Sequence, residues 1–204
     1  MKQKDIIDSS FPEIILVDDF TDNQNDWEIV DTDKEVAALT DQGYHMVNKE
    51  IDRWHHFSIF PKFVTLKNLF IQCRIEVNKG TSPGQFGIIW GFDKKLQRLN
   101  RFCLSSEGRG CTVMHFERNH RPVFHRFYDP FMKVDASQPV LLEILERNGY
   151  WYFRINKKLV YITHQTHMAD LGNGIGFYVD PGVSINVKKL KVSKRGVNKA
   201  FSLN

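Results

Sequence analysis

Along most of this chain, apolar residues alternate with polar or small ones at a period of two, the repeat of a strand whose side chains point to opposite faces. The clearest runs are Gln85-Phe86-Gly87-Ile88-Ile89-Trp90-Gly91-Phe92 and Gly174-Ile175-Gly176-Phe177-Tyr178-Val179. Each places bulk on one face and pares the other toward backbone with glycine. Glycine inside a strand marks a bulge or a close approach by another chain or ligand. The pattern therefore predicts a large sheet with one packed face and one hollowed face, a shape suited to binding. In the second run Gly176 and Tyr178 share the face opposite Ile175, Phe177 and Val179. In the first, Trp90 groups with Phe86, Ile88 and Phe92, opposite Gly87, Ile89 and Gly91.

Further strands are predicted at 14–20, 43–48, 55–60, 69–77, 102–105, 112–117, 123–128, 140–146, 150–155, 159–163 and 185–192. Many short strands punctuated by Gly, Asn, Asp and Pro indicate an all-β sandwich or barrel. Asn148-Gly149 is the preferred dipeptide for a two-residue hairpin turn. Asn156-Lys157-Lys158 and Arg118-Asn119-His120-Arg121 mark two more turns. The one helical signal is His167-Met168-Ala169-Asp170-Leu171, with Gly172 as its C-terminal cap. The chain divides into a polar lead-in (1–13), one β domain (14–192) and a basic tail (193–204).

At 204 residues, sixteen of them phenylalanine, the chain can bury a full core. Its net charge of +4 gathers near the end, at Lys188, Lys189, Lys191, Lys194, Arg195 and Lys199. With no zinc-finger spacing and no aromatic RNA-binding motif beside it, this run reads as a solvated strand and tail, and no nucleic-acid partner is expected. Cys73, Cys103 and Cys111 form no C-x-x-C pair and are odd in number, which suits reduced thiols. The first residues lack the apolar centre of a signal peptide, and no apolar run is long enough to span a bilayer. A cytoplasmic protein without a membrane partner is the expectation.

In order along the chain come Val17-Asp18-Asp19-Phe20 with Trp27, Gly43-Tyr44, Arg74-Ile75-Glu76-Val77 and the run ending in Trp90-Gly91-Phe92. Leu141-Leu142-Glu143-Ile144, Tyr152-Phe153-Arg154-Ile155-Asn156 with Leu159-Val160, and the run ending in Phe177-Tyr178-Val179 follow. This succession resembles the concanavalin A-like jelly rolls, particularly the laminin-G-like and 3-keto-disaccharide-hydrolase-like domains of bacteria. The resemblance implies a jelly-roll β-sandwich of two antiparallel sheets, one of them concave. It also implies that the first and last strands are neighbours, which would set Asp18 and Asp19 beside Lys188 and Lys189.

Laminarinase-type enzymes on this fold carry E-x-D-x-E on one strand, and this chain has no such run; Glu76-Val77-Asn78 comes nearest. Glu143 and Glu146 lie three apart and should point to opposite faces. Many carbohydrate-binding jelly rolls hold calcium between acids of the first and last strands. Here the last strand offers lysines, so a cross-strand ion pair is expected in its place, with no metal and no cofactor; the loop 22–26 is left open as a separate site. His164 and His167 form H-x-x-H, and His115 and His125 should face each other across a hairpin centred on His120. Two histidines fall short of the three or four ligands zinc requires. There is no G-x-S-x-G, and Gly108-Arg109-Gly110 is too short for a phosphate loop.

What remains is a binding platform, an aromatic face with planar hydrogen-bonding groups. The candidates are Trp54, His56, Trp90, Arg101, His115, Arg126 and Tyr178. Three functions stay open: a non-catalytic carbohydrate-binding module, a hydrolase acting on a glycoside or disaccharide, and an intracellular protein-interaction or sensor domain. The partner is accordingly a glycan or a protein.

Overall fold

The structure, a computed structural model, describes residues 13–50, 55–59, 68–78, 83–95, 97–117, 123–127, 133–135, 138–165, 168 and 172–194, with backbone and pairing alone for 55–59, 117 and 123–127. Fifteen strands form among them: β1 (Glu13–Asp18), β2 (Val30–Asp31), β3 (Glu35–Thr40), β4 (Gly43–Asn48), β5 (His55–Ile59), β6 (Leu69–Val77), β7 (Gln85–Asp93) and β8 (Arg98–Ser105). They continue with β9 (Cys111–Glu117), β10 (Val123–Phe127), β11 (Val140–Arg147), β12 (Tyr150–Ile155), β13 (Lys158–His164), β14 (Gly174–Val179) and β15 (Ser184–Lys194). Two antiparallel sheets result. One has nine strands in the order β13-β12-β11-β6-β15-β4-β3-β2, with β1 alongside β15; the other has six, in the order β10-β9-β8-β7-β14-β5.

The sheets pack face to face. Phe86, Ile88, Trp90, Phe102, Leu104, Val113, Ile175, Phe177 and Val179 of the six-stranded sheet meet Tyr44, Met46, Ile71, Cys73, Ile75, Leu142, Ile144, Trp151, Phe153, Ile185, Val187, Leu190 and Val192 of the other. One aromatic cluster ties the layers together. Phe177 lies 5.0 Å from Trp27, 6.0 Å from Phe20 and 6.2 Å from Tyr44, centroid to centroid. Each such pair adds about 0.5–1.5 kcal/mol beyond its buried area.

The turns follow the residues that make them. Asn148 and Gly149 both take left-handed φ values, 54° and 78°, and join β11 to β12 through Arg147 opposite Tyr150. Asn156 and Lys157 (47° and 70°) join β12 to β13 the same way, one residue tighter than the three-residue turn expected. Two strands escaped the sequence pattern, β2 and β3. Glu35-Val36-Ala37-Ala38-Leu39-Thr40 has little strand propensity and is held by its pairing with β4. The expected turn at 118–121 lies outside the described residues, as does all of the helical segment 167–171 except Met168, which is part of the core.

The first and last strands are neighbours, with Asp18 opposite Leu190. The ion pair expected between them does not form. Asp18 turns inward and accepts hydrogen bonds from the Phe20 amide (2.7 Å), the Asn25 side-chain amide (2.8 Å) and the Trp27 indole N–H (2.6 Å). Asp19 accepts from the Thr21 hydroxyl (2.8 Å), which, with the Thr21 amide, holds its carboxyl below the usual range; Lys189 is a lesser cause. The register of β15 shifts between Val187 and Lys189, and Lys188, at that shift, bonds Glu76 (2.9 Å) and Gln42 (3.1 Å) instead. Buried donors from the loop outcompeted the lysines of the last strand for the Asp18 carboxylate, as expected where an unpaired buried N–H costs about 1–3 kcal/mol and a solvent-accessible ion pair returns about 0–1.

Candidate functional site

Strand alternation gives the six-stranded sheet an outward face, turned from the core. Pairing aligns one complete row across it: Arg126 opposite Thr112, Thr112 opposite Cys103, Cys103 opposite Gly87, Gly87 opposite Tyr178, and Tyr178 opposite His56. The next row on the same face runs Phe124, Met114, Arg101, Ile89, Gly176 and Ser58. Four of the seven candidates, His56, Arg101, Arg126 and Tyr178, thus fall in two adjacent rows on one face. Trp54 lies outside the described residues.

Trp90 and His115 are not brought to this face. They fall in the inward row His115, Asn100, Trp90, Ile175. Trp90 is fully buried, 5.7 Å from Trp151 and 5.8 Å from Phe153. His115 is half-buried, its Nδ1 3.0 Å from Asn100 Oδ1. Among the described residues, the Trp90 indole N–H and the Asn100 side-chain amide are buried without acceptors. Nor does His115 face His125. The hairpin register sets His115 opposite Val123 and His125 opposite Val113, two residues from the partner expected for each.

The outward face is less hollow than glycine spacing suggests. Gly87 and Gly176 contribute no side chains, but Ile89, Leu99, Cys103 and Tyr178 form a small buried cluster there, with Phe92 and Phe116 packed against it. Phe92 reaches that cluster because Gly91, at φ 66°, sits in a register shift between Trp90 and Asp93 that breaks the alternation. A Cβ on Gly87 would collide with the Phe102 carbonyl oxygen, so this row requires glycine at its centre.

Arg101 and Tyr178 form the core of the site. The guanidinium carbon stands 4.1 Å from the centroid of the Tyr178 ring. The Tyr178 hydroxyl donates to Asp180 Oδ1, and the other oxygen, Oδ2, accepts from the Gln85 amide at 2.7 Å. The Gln85 side chain in turn donates to Thr112 Oγ1 at 2.8 Å. Burial pushes the Tyr178 hydroxyl well above its ordinary pKa, Arg101 opposes this, and Asp180 raises it further, so the phenol stays a neutral donor. Only 3% of Tyr178 is exposed, so its ring supports Arg101. Gln85, Thr112 and Asp180 were not singled out in the sequence, although the alternation that marks Tyr178 also marks position 180, two residues on.

The opposite surface of the molecule, on the nine-stranded sheet, combines a small apolar cluster of Phe70, Leu145 and Tyr152 with paired polar side chains. Gln72 donates to Glu143 (3.0 Å), Arg154 pairs with Glu143 (3.5 Å), and Asn186 donates to Asn78 (2.8 Å). Glu146 points the other way, to the Asn68 amide, as its spacing from Glu143 implies. Among the described residues no three His, Cys, Asp or Glu side chains gather where they could hold one metal ion, and no helix is long and apolar enough to cross a membrane.

No protein-family model matches the sequence, and no curated protein matches it. Solved structures do. The chain is similar to a carbohydrate-binding module from Bacillus subtilis, at 14% identity over 80% of this chain and 94% of that one, with a TM-score of 0.58. It is similar to a protein of unknown function with a galectin-like fold from Bacillus subtilis, at 14% identity over 90% and 97%, with a TM-score of 0.62. It is also similar to a β-glucanase from Bacillus licheniformis, at 10% identity over 88% and 98%, with a TM-score of 0.61. Likeness at such identities speaks for the fold. The sheet order, the pairing of first and last strands and these neighbours agree that the chain has the concanavalin A-like jelly-roll fold.

Proposed function

We propose that this chain is a non-catalytic carbohydrate-binding module that takes a glycan on the outward face of its six-stranded sheet. The observation that carries the reading is the content of the two central rows. They hold the stacked Arg101 and Tyr178 with the Thr112 hydroxyl, place Ser58, Arg126 and His56 at register positions, and have no Asp or Glu at any of their twelve positions. Planar donors beside apolar surface suit a ring of hydroxyls with C–H faces.

Glycoside hydrolysis asks for something else, two carboxyl groups about 5–5.5 Å apart for retention or about 6.5–9.5 Å for inversion. Asp180, at the margin of the rows, already accepts from Tyr178 and Gln85. The similarity to a carbohydrate-binding module supports the binding reading, and the similarity to a β-glucanase supports a saccharide ligand, while the two central rows hold no acid pair.

A glycan array probed with the purified protein and with Arg101→Ala tests the proposal. Binding that disappears in the variant at an unchanged melting temperature, without release of reducing sugar, supports it. A blank array from a folded protein overturns it in favour of a protein partner, and reducing-sugar release overturns it in favour of an enzyme.

A further inference from the structure

Arg101 is half-buried, and among the described residues nothing accepts a hydrogen bond from it. Its Nε is buried without an acceptor, and its one recorded contact is the ring of Tyr178. Arg98 shares the orphaned Nε but has a carboxylate beside its Nη2, and Arg154 is fully engaged. Arg154 donates from Nε and Nη2 to the Lys157 carbonyl (2.9 and 2.6 Å) and pairs with Glu143; Arg98 sits 4.0 Å from Asp93. A guanidinium carries five N–H donors in a fixed fork, and removing one from water without an acceptor is unfavourable. Such groups in native proteins call for a partner.

The surroundings say which kind. Both central rows lack any Asp or Glu. Arg126 and His56 hold register positions in the row beside Arg101. Cys103, next to Arg101 on β8, is held as a neutral thiol by burial, its pKa near 12, and the Tyr178 phenol is likewise neutral. The charge of the rows is therefore positive, and Asp180, the acid nearest Tyr178, is occupied.

Resting on the reading of this face as saccharide-binding, we infer that Arg101 recognises an oxyanion and that the ligand is an acidic saccharide, carrying a carboxylate or a sulfate. Stacking on Tyr178 fixes the plane of the fork and leaves its edge to receive two oxygens side by side, the geometry that distinguishes arginine from lysine.

The test is an array of acidic saccharides beside their neutralised counterparts: oligogalacturonates with their methyl esters, and sulfated galactan fragments with the desulfated forms. Binding is expected on acidic members and to fall at least about tenfold on esterification or desulfation; whichever arm responds identifies the oxyanion. Arg101→Lys, which keeps the charge and loses the fork, should bind about tenfold more weakly, and Arg101→Met should bind below detection, both with the wild-type melting temperature. Added salt should weaken the interaction. Equal binding to neutral and acidic members, or wild-type binding by Arg101→Met, overturns the inference and leaves the saccharide reading standing. No binding to either class by the folded protein overturns both.

Discussion

The Arg101 guanidinium rests on the Tyr178 ring at 4.1 Å, and the hydroxyl of the same ring is anchored to Asp180. The two ends of Tyr178 therefore do different work. Its ring holds the arginine flat, and its hydroxyl holds the ring. Tyr178→Phe should retain most saccharide binding and cost about 1 kcal/mol of stability, one hydrogen bond. Tyr178→Ala removes the prop and leaves a cavity, and should lose binding together with about 3–5 kcal/mol. Chemical denaturation of both variants, paired with titration of a bound saccharide, checks the separation; equal loss of binding in both would contradict it.

Gly87 is where the row passes closest to another backbone. A methyl group there would drive into the Phe102 carbonyl oxygen, a main-chain atom that can move only with β8. Gly87→Ala should therefore destabilise by about 1–3 kcal/mol, and its displacement of β8 should weaken saccharide binding, since Arg101 sits on that strand. A melting curve and a binding titration on one sample measure both.

Asp18 binds three protein donors where an acid of the first strand could have served calcium. Asp18→Ala strands the Trp27 indole N–H and the Phe20 amide, whose φ of 60° is a costly conformation for an aromatic residue held at this turn. A loss of about 3–5 kcal/mol is expected, as for other broken buried charge networks. EDTA should leave the melting temperature of the wild type unchanged, and a drop of several degrees would show that a cation helps hold the protein together.

All three cysteines are buried and free, and burial raises each thiol: Cys111 to about 11, Cys103 to about 12 and Cys73 well above 9. A thiol whose folded pKa is raised contributes stability that is complete below its unfolded pKa near 9 and is lost as pH climbs toward the folded value. Stability should decline above pH 9, by up to about 1.4 kcal/mol per pH unit per thiol, and alkylation by iodoacetamide at pH 8 should require denaturant. Rapid labelling of the native protein would contradict this account.

The alternation in 174–179 was enough to place Phe177 inside and Tyr178 outside, and Asn148-Gly149 was enough to place a hairpin, because strand period and turn chemistry are local. Where local rules met non-local pairing, less could be read. Glycine at 91 allows a register shift that sends Phe92 to the opposite face from Trp90, and nothing in the period announces it. A two-residue shift in the β9–β10 pairing moved His125 from His115 to Val113. The alternation already grouped Trp90 with Phe86 and Ile88, apart from the face of Tyr178, and its pairing with Asn100 and Ile175 assigns it to the core. The empty fork of Arg101 was invisible in sequence, since the absence of an acceptor is a property of the assembled sheet.

Amide chemical-shift mapping of the isotopically labelled protein, titrated with a saccharide selected from the array, tests the central claim most directly. Perturbations concentrated at Gly87, Ile89, Arg101, Cys103, Gly176 and Tyr178 are the predicted result. Perturbations centred instead on the paired polar side chains of the nine-stranded sheet, at His45, Gln72 and Asn186, would contradict it.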